Sequence, residues 1–290
     1  MADPKALNLK TALILGVSGQ DGYFLAKLLL KNGYKVIGTT RHIDTTSPAL
    51  KSLDQKNLSI IYADIRDTEG ILNLITLKKP DEVYNLGAQS HVSVSYDCPT
   101  YTGDVNAIGV LKLLEAVKRL SKEKQVKFYQ ASTSELYGKV KETPQTENTP
   151  FYPRSPYAVA KMYGYWITVN YRESFNLFSC NGILFNHESP RRGPEFVTRK
   201  IVLGMIRTHL GLQDILELGN LTARRDWGHA KDYVRAMWLI LQQDKPDDYA
   251  ISSGEEHSVK DFCNDVATYL GFEIEWRGEG LDEIGINKST

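Results

Sequence analysis

Several features that would place a protein in other classes are scarce in this sequence. The three cysteines, Cys98, Cys180 and Cys263, are far apart and lack metal-ligand spacing, and the six histidines form no HExxH cluster. We therefore predict reduced thiols and no metal site. The 35 basic residues balance the 35 acidic ones, so the overall charge does not favour binding to nucleic acid or to a membrane surface.

Long apolar runs are also missing. Residues Met1–Ala6 contain no apolar core of a signal peptide, and no run of 18 apolar residues follows. We therefore expect a soluble, cytoplasmic protein. The length of 290 residues suits one large domain or two modest ones.

Short apolar segments alternate with amphipathic ones along the first two thirds of the chain. Six of them predict strands: Thr11–Leu15, Lys35–Thr39, Leu58–Tyr62, Glu82–Leu86, Lys127–Ala131 and Phe178–Phe185. Helical segments lie between them, the first from Tyr23 to Lys31, with Asn32-Gly33 as its C-terminal cap. Strands that alternate with helices predict an α/β fold with a doubly wound parallel sheet.

The pattern changes after Phe185. Residues 186–225 are rich in arginine, glycine and proline, Trp227–Gln242 predicts a helix, Tyr249–Ser252 predicts a last strand, and small helices and a strand follow from about Gly254. We expect a Rossmann domain of residues 1–186 and 226–252. Residues 187–225 and 253–290 would then form a smaller, discontinuous substrate-binding cap over the carboxyl edge of the sheet, where ligands bind in such folds.

A glycine motif, Gly16-Val-Ser-Gly19-Gln-Asp-Gly22, follows the first strand and opens the first helix. Its spacing differs from the GxGxxG dinucleotide motif, but its physical basis is the same. Small residues let the backbone approach a pyrophosphate, and the N-terminus of the following helix attracts its negative charge. The motif therefore predicts a dinucleotide cofactor.

The choice of cofactor depends on the residue after the second strand. An NAD enzyme usually places an acid there, which binds the ribose hydroxyls. This chain has Arg41 instead, and a guanidinium suits a 2′-phosphate, so we predict NADP. Asp64 and Ile65 are placed to meet the adenine, and Leu86–Ser90 to run beside the ribose and phosphate.

Chemistry-bearing residues follow the fifth strand and open a later helix. Ser132–Glu135 combines hydroxyls with a carboxylate, and Tyr157 and Lys161 stand four residues apart, on one face of a helix. A tyrosine with a pKa near 10 is a weak base, but a nearby ammonium stabilises its phenolate. Glu135 adds a base for a carbon-bound proton, which a plain alcohol dehydrogenase does not need.

Six segments of the chain match a known family in order. They are Gly16–Gly22, Glu82–Ser90, Phe128–Gly138, Pro150–Lys161, Gly182–Gly193 and Arg224–Tyr233. On these segments the chain resembles the extended short-chain dehydrogenases/reductases, and among them the GDP-mannose 4,6-dehydratase family. The resemblance runs from about Thr11 to Gly271.

The resemblance implies roles for individual residues. The implied catalytic residues are Thr133, Glu135, Tyr157 and Lys161. The implied NADP contacts are Gly16, Val17, Ser18, Gly19, Gln20, Asp21, Gly22, Arg41, Asp64, Ile65, Leu86, Gly87, Ala88, Gln89, Ser90, Tyr101, Tyr157, Lys161, His187 and Arg192. The implied contacts to the GDP-sugar are Ser90, Thr133, Ser134, Glu135, Tyr157, Asn186, Glu188, Lys200 and Arg225.

The implied reaction is that of a hydro-lyase in deoxysugar-nucleotide biosynthesis. GDP-α-D-mannose would lose water and become GDP-4-dehydro-6-deoxy-D-mannose by internal hydride transfer through bound NADP. The family forms dimers and tetramers, so the resemblance also implies a homodimer or homotetramer, with a dimer face on a helix from about Pro99 to Leu120.

Two departures from the family pattern affect these expectations. The family often has Arg-Arg-Ser-Ser after the second strand, whereas this chain has Arg41-His42-Ile43-Asp44. Family members also usually continue beyond the position of Thr290 with an RPxE-like substrate contact and a final helix. Other interpretations stay open: a dehydratase of a related GDP sugar such as GDP-manno-heptose, a reductase or epimerase of a nucleotide hexose, and a non-catalytic NADP-binding sensor.

Overall fold

The computed structural model describes residues 9–41 and 48–288, without the side chains of Pro48, Ala49 and Leu281. His42, Ile43 and Asp44 of the departing segment therefore lie outside the described residues. Contacts divide the chain into two units. The sheet unit comprises Met1–Phe185 and Ala230–Ile251, and the second unit comprises Asn186–His229 and Ser252–Thr290.

The strands and helices are numbered in chain order. The strands are β1 Thr11–Leu15, β2 Lys35–Thr40, β3 Leu58–Tyr62, β4 Glu82–Asn85, β5 Lys127–Ala131, β6 Phe178–Leu184, β7 Asn186–Glu188, β8 Arg224–Arg225, β9 Trp227–His229, β10 Asp248–Ile251, β11 His257–Ser258, β12 Ile274–Arg277 and β13 Ile284–Asn287. The α-helices are α1 Gln20–Lys31, α2 Pro48–Lys51, α3 Thr68–Lys78, α4 Val94–Asp97, α5 Pro99–Gly103, α6 Gly109–Leu120, α7 Pro156–Phe175, α8 Val197–His209, α9 Ala230–Gln242 and α10 Val259–Tyr269. A π-helical turn, Asp104–Ile108, joins α5 to α6.

The sheet unit contains a seven-stranded sheet in the order β10-β6-β5-β4-β1-β2-β3. Its six neighbouring pairs are all parallel. The predicted doubly wound α/β fold is therefore confirmed. Strand order reverses between β1 and β4, and in such sheets the crevice at the carboxyl ends of those two strands is the usual ligand site.

Alternate residues of β1 enter two different cores, because successive side chains of a strand point to opposite faces of the sheet. Ala12 and Ile14 pack with α1 and α9, whereas Leu13 and Leu15 pack with α3 and α6. Both faces are covered by helices, which explains why the strands are nearly continuous apolar runs in the sequence.

Two predicted helices begin at the wrong residue. Helix α1 begins at Gln20, three residues before Tyr23, because Gly19 already serves as its N-cap. Trp227–Gln242 is not one helix, since Trp227–His229 pairs with Asn186–Glu188 as a short parallel strand and the helix starts only at Ala230.

The second unit has three two-stranded pieces, β7 with β9, β8 with β11, and β12 with β13. Helices α8 and α10 share an apolar core that includes Ile201, Met205, Val259 and Cys263. At the start of α10, Ser258 and Asp261 form a reciprocal capping box, with each side chain accepting a backbone N–H of the other residue.

No helix in the described part of the chain is both long enough and apolar enough to cross a bilayer.

Candidate active site

The loop between β1 and α1 forms a cradle that only glycines permit. Gly16 has a φ of +80°, and a Cβ at this position would lie 3.0 Å from the carbonyl oxygen of Leu86. A Cβ on Gly22 would lie 2.3 Å from the carbonyl oxygen of Gly16. The backbone therefore approaches closely around the N-terminus of α1, an arrangement that suits a pyrophosphate.

A cavity of about 240 Å³ lies at the carboxyl ends of β1 to β4. Ten of the predicted cofactor residues line it: Gly16, Ser18, Gly19, Arg41, Asp64, Ile65, Leu86, Gly87, Ala88 and Ser90. Leu15, Thr39, Thr40, Ala63 and Val105 also line it and were not predicted. Val17 is fully buried instead, and its N–H donates to the carbonyl of Thr39 at 3.1 Å. The cavity has the position and the small-residue lining that a dinucleotide requires.

Arg41 and Asp64 sit at one end of this cavity with Tyr101 beside them. An Nη atom of Arg41 donates to the hydroxyl of Tyr101. The carboxylate of Asp64 accepts two hydrogen bonds from Nε of Arg66, both 3.1 Å, and one of 2.6 Å from its Nη2. These hydrogen bonds lower the pKa of Asp64 below its ordinary value. Sequence reasoning missed Arg66, although it stands only two residues after Asp64.

The loop after β4 is held by the π-helical turn. Asn106 lies in this turn, is buried, and binds the backbone of Gln89 twice. Its Oδ1 accepts the Gln89 N–H at 2.9 Å, and its Nδ2 donates to the Gln89 carbonyl at 2.8 Å. Asn106 thereby holds in place the segment that contains Ser90, which lines the cavity. It too was missed, because the apolar pattern of the helix does not reveal a π-turn.

Thr133 and Glu135 lie directly after β5. The Thr133 side chain is buried, and its Oγ1 accepts the backbone N–H of Glu135 at 3.2 Å. This bond caps a 3₁₀ turn, Ser134–Leu136. The Glu135 side chain is half-buried. The turn thus holds a hydroxyl and a carboxylate together at the carboxyl edge of the sheet.

Tyr157 and Lys161 occupy the first turns of α7, where Ser155 is the N-cap and Pro156 the first residue. The Tyr157 N–H donates to Oγ of Ser95 at 3.1 Å. Nζ of Lys161 donates to the carbonyl of Ala131 at 3.0 Å and lies 5.9 Å from the centre of the Tyr157 ring. Burial lowers the pKa of Lys161 to about 8, and the charge of Asp21 partly opposes that shift. The lysine of α7 is thus anchored to the last residue of β5.

The remaining predicted residues belong to the second unit. Glu188 on β7 forms an ion pair with Arg192 at 3.3 Å and accepts a hydrogen bond of 2.5 Å from Thr198. Asn186 and His187 precede Glu188 on the same strand. Lys200 lines a cavity of about 350 Å³ in this unit, together with Pro194 and Arg207 among others.

Arg225 is exposed on β8, and its Nη1 donates to the carbonyl of Arg224 at 2.8 Å. In the described ranges, 9–41 and 48–288, no group of three or more histidine, cysteine, aspartate or glutamate side chains could hold a metal ion.

Comparisons with known sequences agree on one family. The profile of the family described as GDP-mannose 4,6 dehydratase matches residues 13–290. The chain is 54% identical over 292 residues to a GDP-mannose 4,6-dehydratase of Vibrio cholerae serotype O1, covering 98% of this chain and 78% of that protein. It is 52% identical over 287 residues to the human GDP-mannose 4,6 dehydratase, covering 96% of this chain and 77% of that protein.

Solved structures share the fold at lower identity. A UDP-glucose 4-epimerase of Thermotoga maritima, solved with UDP-glucose, has a TM-score of 0.80 at 25% identity and covers 90% of this chain and 82% of that one. A dTDP-glucose 4,6-dehydratase of Bacillus anthracis, solved with NAD, has a TM-score of 0.78 at 25% identity and covers 90% of this chain and 81% of that one.

Proposed function

The chain belongs to the GDP-mannose 4,6-dehydratase family, and we propose that it catalyses the reaction for which the family is named. GDP-α-D-mannose would lose water and become GDP-4-dehydro-6-deoxy-D-mannose. One observation carries this proposal: the ammonium of Lys161 is bound to the last residue of β5, and Thr133 and Glu135 follow that strand directly. The sheet unit would bind the nicotinamide cofactor, and the second unit would bind the GDP-sugar.

The proposed cofactor is NADP. The glycine cradle and the cavity beside it suit a dinucleotide, and Arg41 at the far end suits a 2′-phosphate. When bound, NADP supplies a hydride acceptor for C4 of the sugar and a hydride donor for C6, so the reaction involves no net oxidation. The polar residues along the cavity would orient the cofactor, and His187 and Arg192 of the second unit are further proposed contacts.

Tyr157 would take the proton of the sugar's O4 hydroxyl. Its phenolate needs a nearby positive charge, which Lys161 supplies within 5.9 Å of the ring centre. With a pKa of about 8, Lys161 is mostly protonated at pH 7 and so can perform this role. Tyr157 and Lys161 together would therefore allow a proton to leave O4 at neutral pH.

Glu135 would take the proton from C5, which the 4-ketone makes acidic. Loss of the C6 hydroxyl as water then needs a proton donor, and Glu135 or the hydroxyl of Thr133 would supply it. Thr133 Oγ1 accepts the Glu135 N–H, so the two residues belong to one hydrogen-bonded turn. A positioned acid/base group contributes about 10² to 10⁴-fold in rate.

The substrate's GDP portion carries two phosphates, and the second unit offers cations and hydrogen-bonding groups for them. Lys200 and Arg225 are both exposed, and Asn186 and Glu188 lie on one short strand. We propose these four residues as substrate contacts. The free thiols Cys98, Cys180 and Cys263 support the proposed cytoplasmic location.

A homodimer or homotetramer is the proposed assembly. Along α7 the apolar side chains of Val159, Tyr163 and Trp166 are exposed at helical spacing, and Ile108 of the π-turn is exposed too. Exposed apolar side chains in one stripe are typical of an interface with another protein surface. Light scattering of the purified protein measures the assembly directly.

The activity is tested by incubating the protein with GDP-mannose and NADP and analysing the nucleotide sugar by mass spectrometry. We expect a product lighter by one water. When the substrate carries deuterium at C4, the label should appear at C6. When the reaction runs in deuterated water, deuterium should appear at C5. Glu135→Gln keeps the shape of the side chain but cannot accept the C5 proton. It should therefore form some NADPH and 4-keto sugar yet lose water about 10² to 10⁴-fold more slowly.

Two outcomes would contradict the proposal. One is that the folded wild-type protein leaves GDP-mannose unchanged in the presence of NADP. The other is water loss at the wild-type rate by the Glu135→Gln variant, which would remove Glu135 from the mechanism.

A further inference from the structure

The carboxylate of Asp64 is fully engaged by one neighbour. Both of its oxygens receive hydrogen bonds from the side chain of Arg66, and its Oδ1 also accepts the Arg66 backbone N–H at 2.9 Å. The Asp64 side chain is 13% exposed and that of Arg66 is 45% exposed. Asp64 lines the cofactor cavity, whereas Arg66 does not. Arg66 thus approaches the carboxylate without itself lining the cavity.

Tyr101 connects this pair to Arg41. The guanidinium carbon of Arg66 lies 5.1 Å from the centre of the Tyr101 ring, and that of Arg41 lies 5.9 Å from it. The Tyr101 hydroxyl accepts a hydrogen bond from Arg41. The carbonyl of Arg66 is held in turn by Nζ of Lys112 at 2.5 Å. Arg66 therefore has a fixed place in a cluster with Asp64, Tyr101 and Arg41.

The charges in this cluster decide which cofactor it favours. Arg41 and Asp64 alone would sum to zero, and a free carboxylate on the cavity wall, close enough to Arg41 for their charges to interact, would weaken the attraction of Arg41 for a 2′-phosphate. With Arg66 the three side chains sum to +1. We infer that Arg66 determines the preference for NADP over NAD by neutralising Asp64, an inference that rests on the proposed NADP cofactor. Arg66 is thus a specificity-determining residue that acts through Asp64.

The pKa of Asp64 agrees with this role. Hydrogen bonds from Arg66 are the largest cause of its lowering, and the charge of Arg41 contributes less. The carboxylate consequently stays ionised and paired with Arg66 across the physiological pH range. Its acceptor positions are occupied by Arg66, which keeps its negative charge compensated beside Arg41.

The test uses Arg66→Gln, which removes the charge but keeps a side chain that can still hydrogen-bond to Asp64. Calorimetry measures the affinities of NADP+ and NAD+ in the absence of sugar substrate. We expect the preference for NADP+ to fall about tenfold, because an unneutralised carboxylate then lies within the field of Arg41, the proposed contact to the 2′-phosphate. In the double variant Arg66→Gln/Asp64→Asn that carboxylate is gone, so the preference should return to near the wild-type ratio.

The ratio of the two affinities is the readout, because a general loss of cofactor binding cancels in it. Arg277→Gln is the matched control. Arg277 also pairs with a carboxylate two residues before it, Glu275, at 2.9 Å, but both side chains are exposed and lie on β12 of the second unit. This control should leave both affinities unchanged.

The outcomes separate this inference from the proposed cofactor. If the wild-type protein binds both cofactors equally, the proposal of NADP fails and this inference fails with it. If the wild type prefers NADP+ and Arg66→Gln keeps that preference, only the inference is overturned. A preference that is lost in Arg66→Gln and not restored by Asp64→Asn also overturns it, because Arg66 would then not act through Asp64.

Discussion

Glu82 and Lys161 are both charged residues buried in the sheet unit, with 1% and 5% of their surface exposed. Glu82 is the first residue of β4 and thus stands at the amino edge of the sheet, whereas Lys161 reaches the last residue of β5 at the carboxyl edge. The same sheet therefore buries a negative charge at one edge and a positive charge at the other. Their surroundings differ sharply.

Glu82 is surrounded by donors. The hydroxyls of Tyr84 and Tyr34 donate to it at 2.7 and 3.1 Å, and Lys10 and Gln242 lie within 3.3 Å. Trp238 extends the network by donating to the hydroxyl of Tyr34 at 3.2 Å. A buried charge with this many partners serves to hold β4, the N-terminal strand region and α9 together.

Lys161 has far less compensation. In the described structure, the ammonium of Lys161 donates a hydrogen bond to the carbonyl of Ala131, and burial lowers the pKa of Lys161 to about 8. The difference teaches that the protein satisfies a buried charge fully where it only stabilises the fold. It leaves the charge undercompensated at Lys161, the residue proposed to act on the neighbouring phenol of Tyr157.

The largest expected effect is that of Lys161→Met, which removes the charge and keeps the length of the side chain. Dehydration of GDP-mannose should slow by about 10² to 10⁴-fold, because the Tyr157 phenolate loses its stabilising cation. Stability at pH 7 should rise by up to about 3 kcal/mol, since the ammonium, whose pKa burial lowers to about 8, no longer needs to be desolvated. Product analysis and urea unfolding measure the two effects. A variant that is slower and also less stable would contradict the comparison.

Glu82→Ala should have the opposite signature. It leaves the buried hydroxyls of Tyr84 and Tyr34 without their acceptor and should destabilise the protein by about 3 kcal/mol, with little change in the rate per folded molecule. Glu123→Ala is the control, because Glu123 pairs with Lys79 at 2.6 Å but is 57% exposed. That change should cost less than about 1 kcal/mol. If the two variants lose equal free energy of unfolding in urea, the buried network contributes no extra stability.

The last predicted effect on stability concerns pH. The folded-state pKa of Lys161, about 8, is below its ordinary value of 10.5, so between these values the unfolded chain binds a proton that the folded chain does not. The contribution of Lys161 to stability must therefore rise with pH in this window. The free energy of unfolding of the wild type minus that of Lys161→Met, measured across this pH range, isolates that rise.

Activity should change in the other direction, falling as the pH passes about 8, because the lysine loses its charge. A rate that stays constant from pH 7 to 9.5 would exclude Lys161 as the source of the supporting charge.

Much of the sheet could be predicted from the sequence because its strands are short, apolar and bounded by polar or turn-forming residues. β1, β3 and β5 have the predicted bounds to the residue. β9 could not be predicted, since its partner β7 is far away in the sequence and a three-residue strand has no pattern of its own. Pairing between distant segments depends on tertiary structure, which local periodicity does not encode.

The same distinction holds for the candidate site. Gly16, Tyr157 and Lys161 are recognisable because their spacing is itself chemical information. Arg66 and Asn106 are not, because their importance lies in what they contact: the Asp64 carboxylate and the Gln89 backbone. An exposed arginine and an asparagine within a helix look ordinary in the sequence, and only their placement distinguishes them.

The π-helical turn Asp104–Ile108 constrains how this protein can vary in length. An α-helix turns by about 100° per residue, so removing one residue here would rotate everything before the turn relative to α6. Asn106 would then no longer face the Gln89 backbone. A helix of this length ordinarily tolerates many changes of side chain. The helix that contains this turn could accept changes of side chain at its exposed positions, during evolution or in laboratory redesign. A single deletion within Asp104–Ile108 would instead move the loop that carries Ser90.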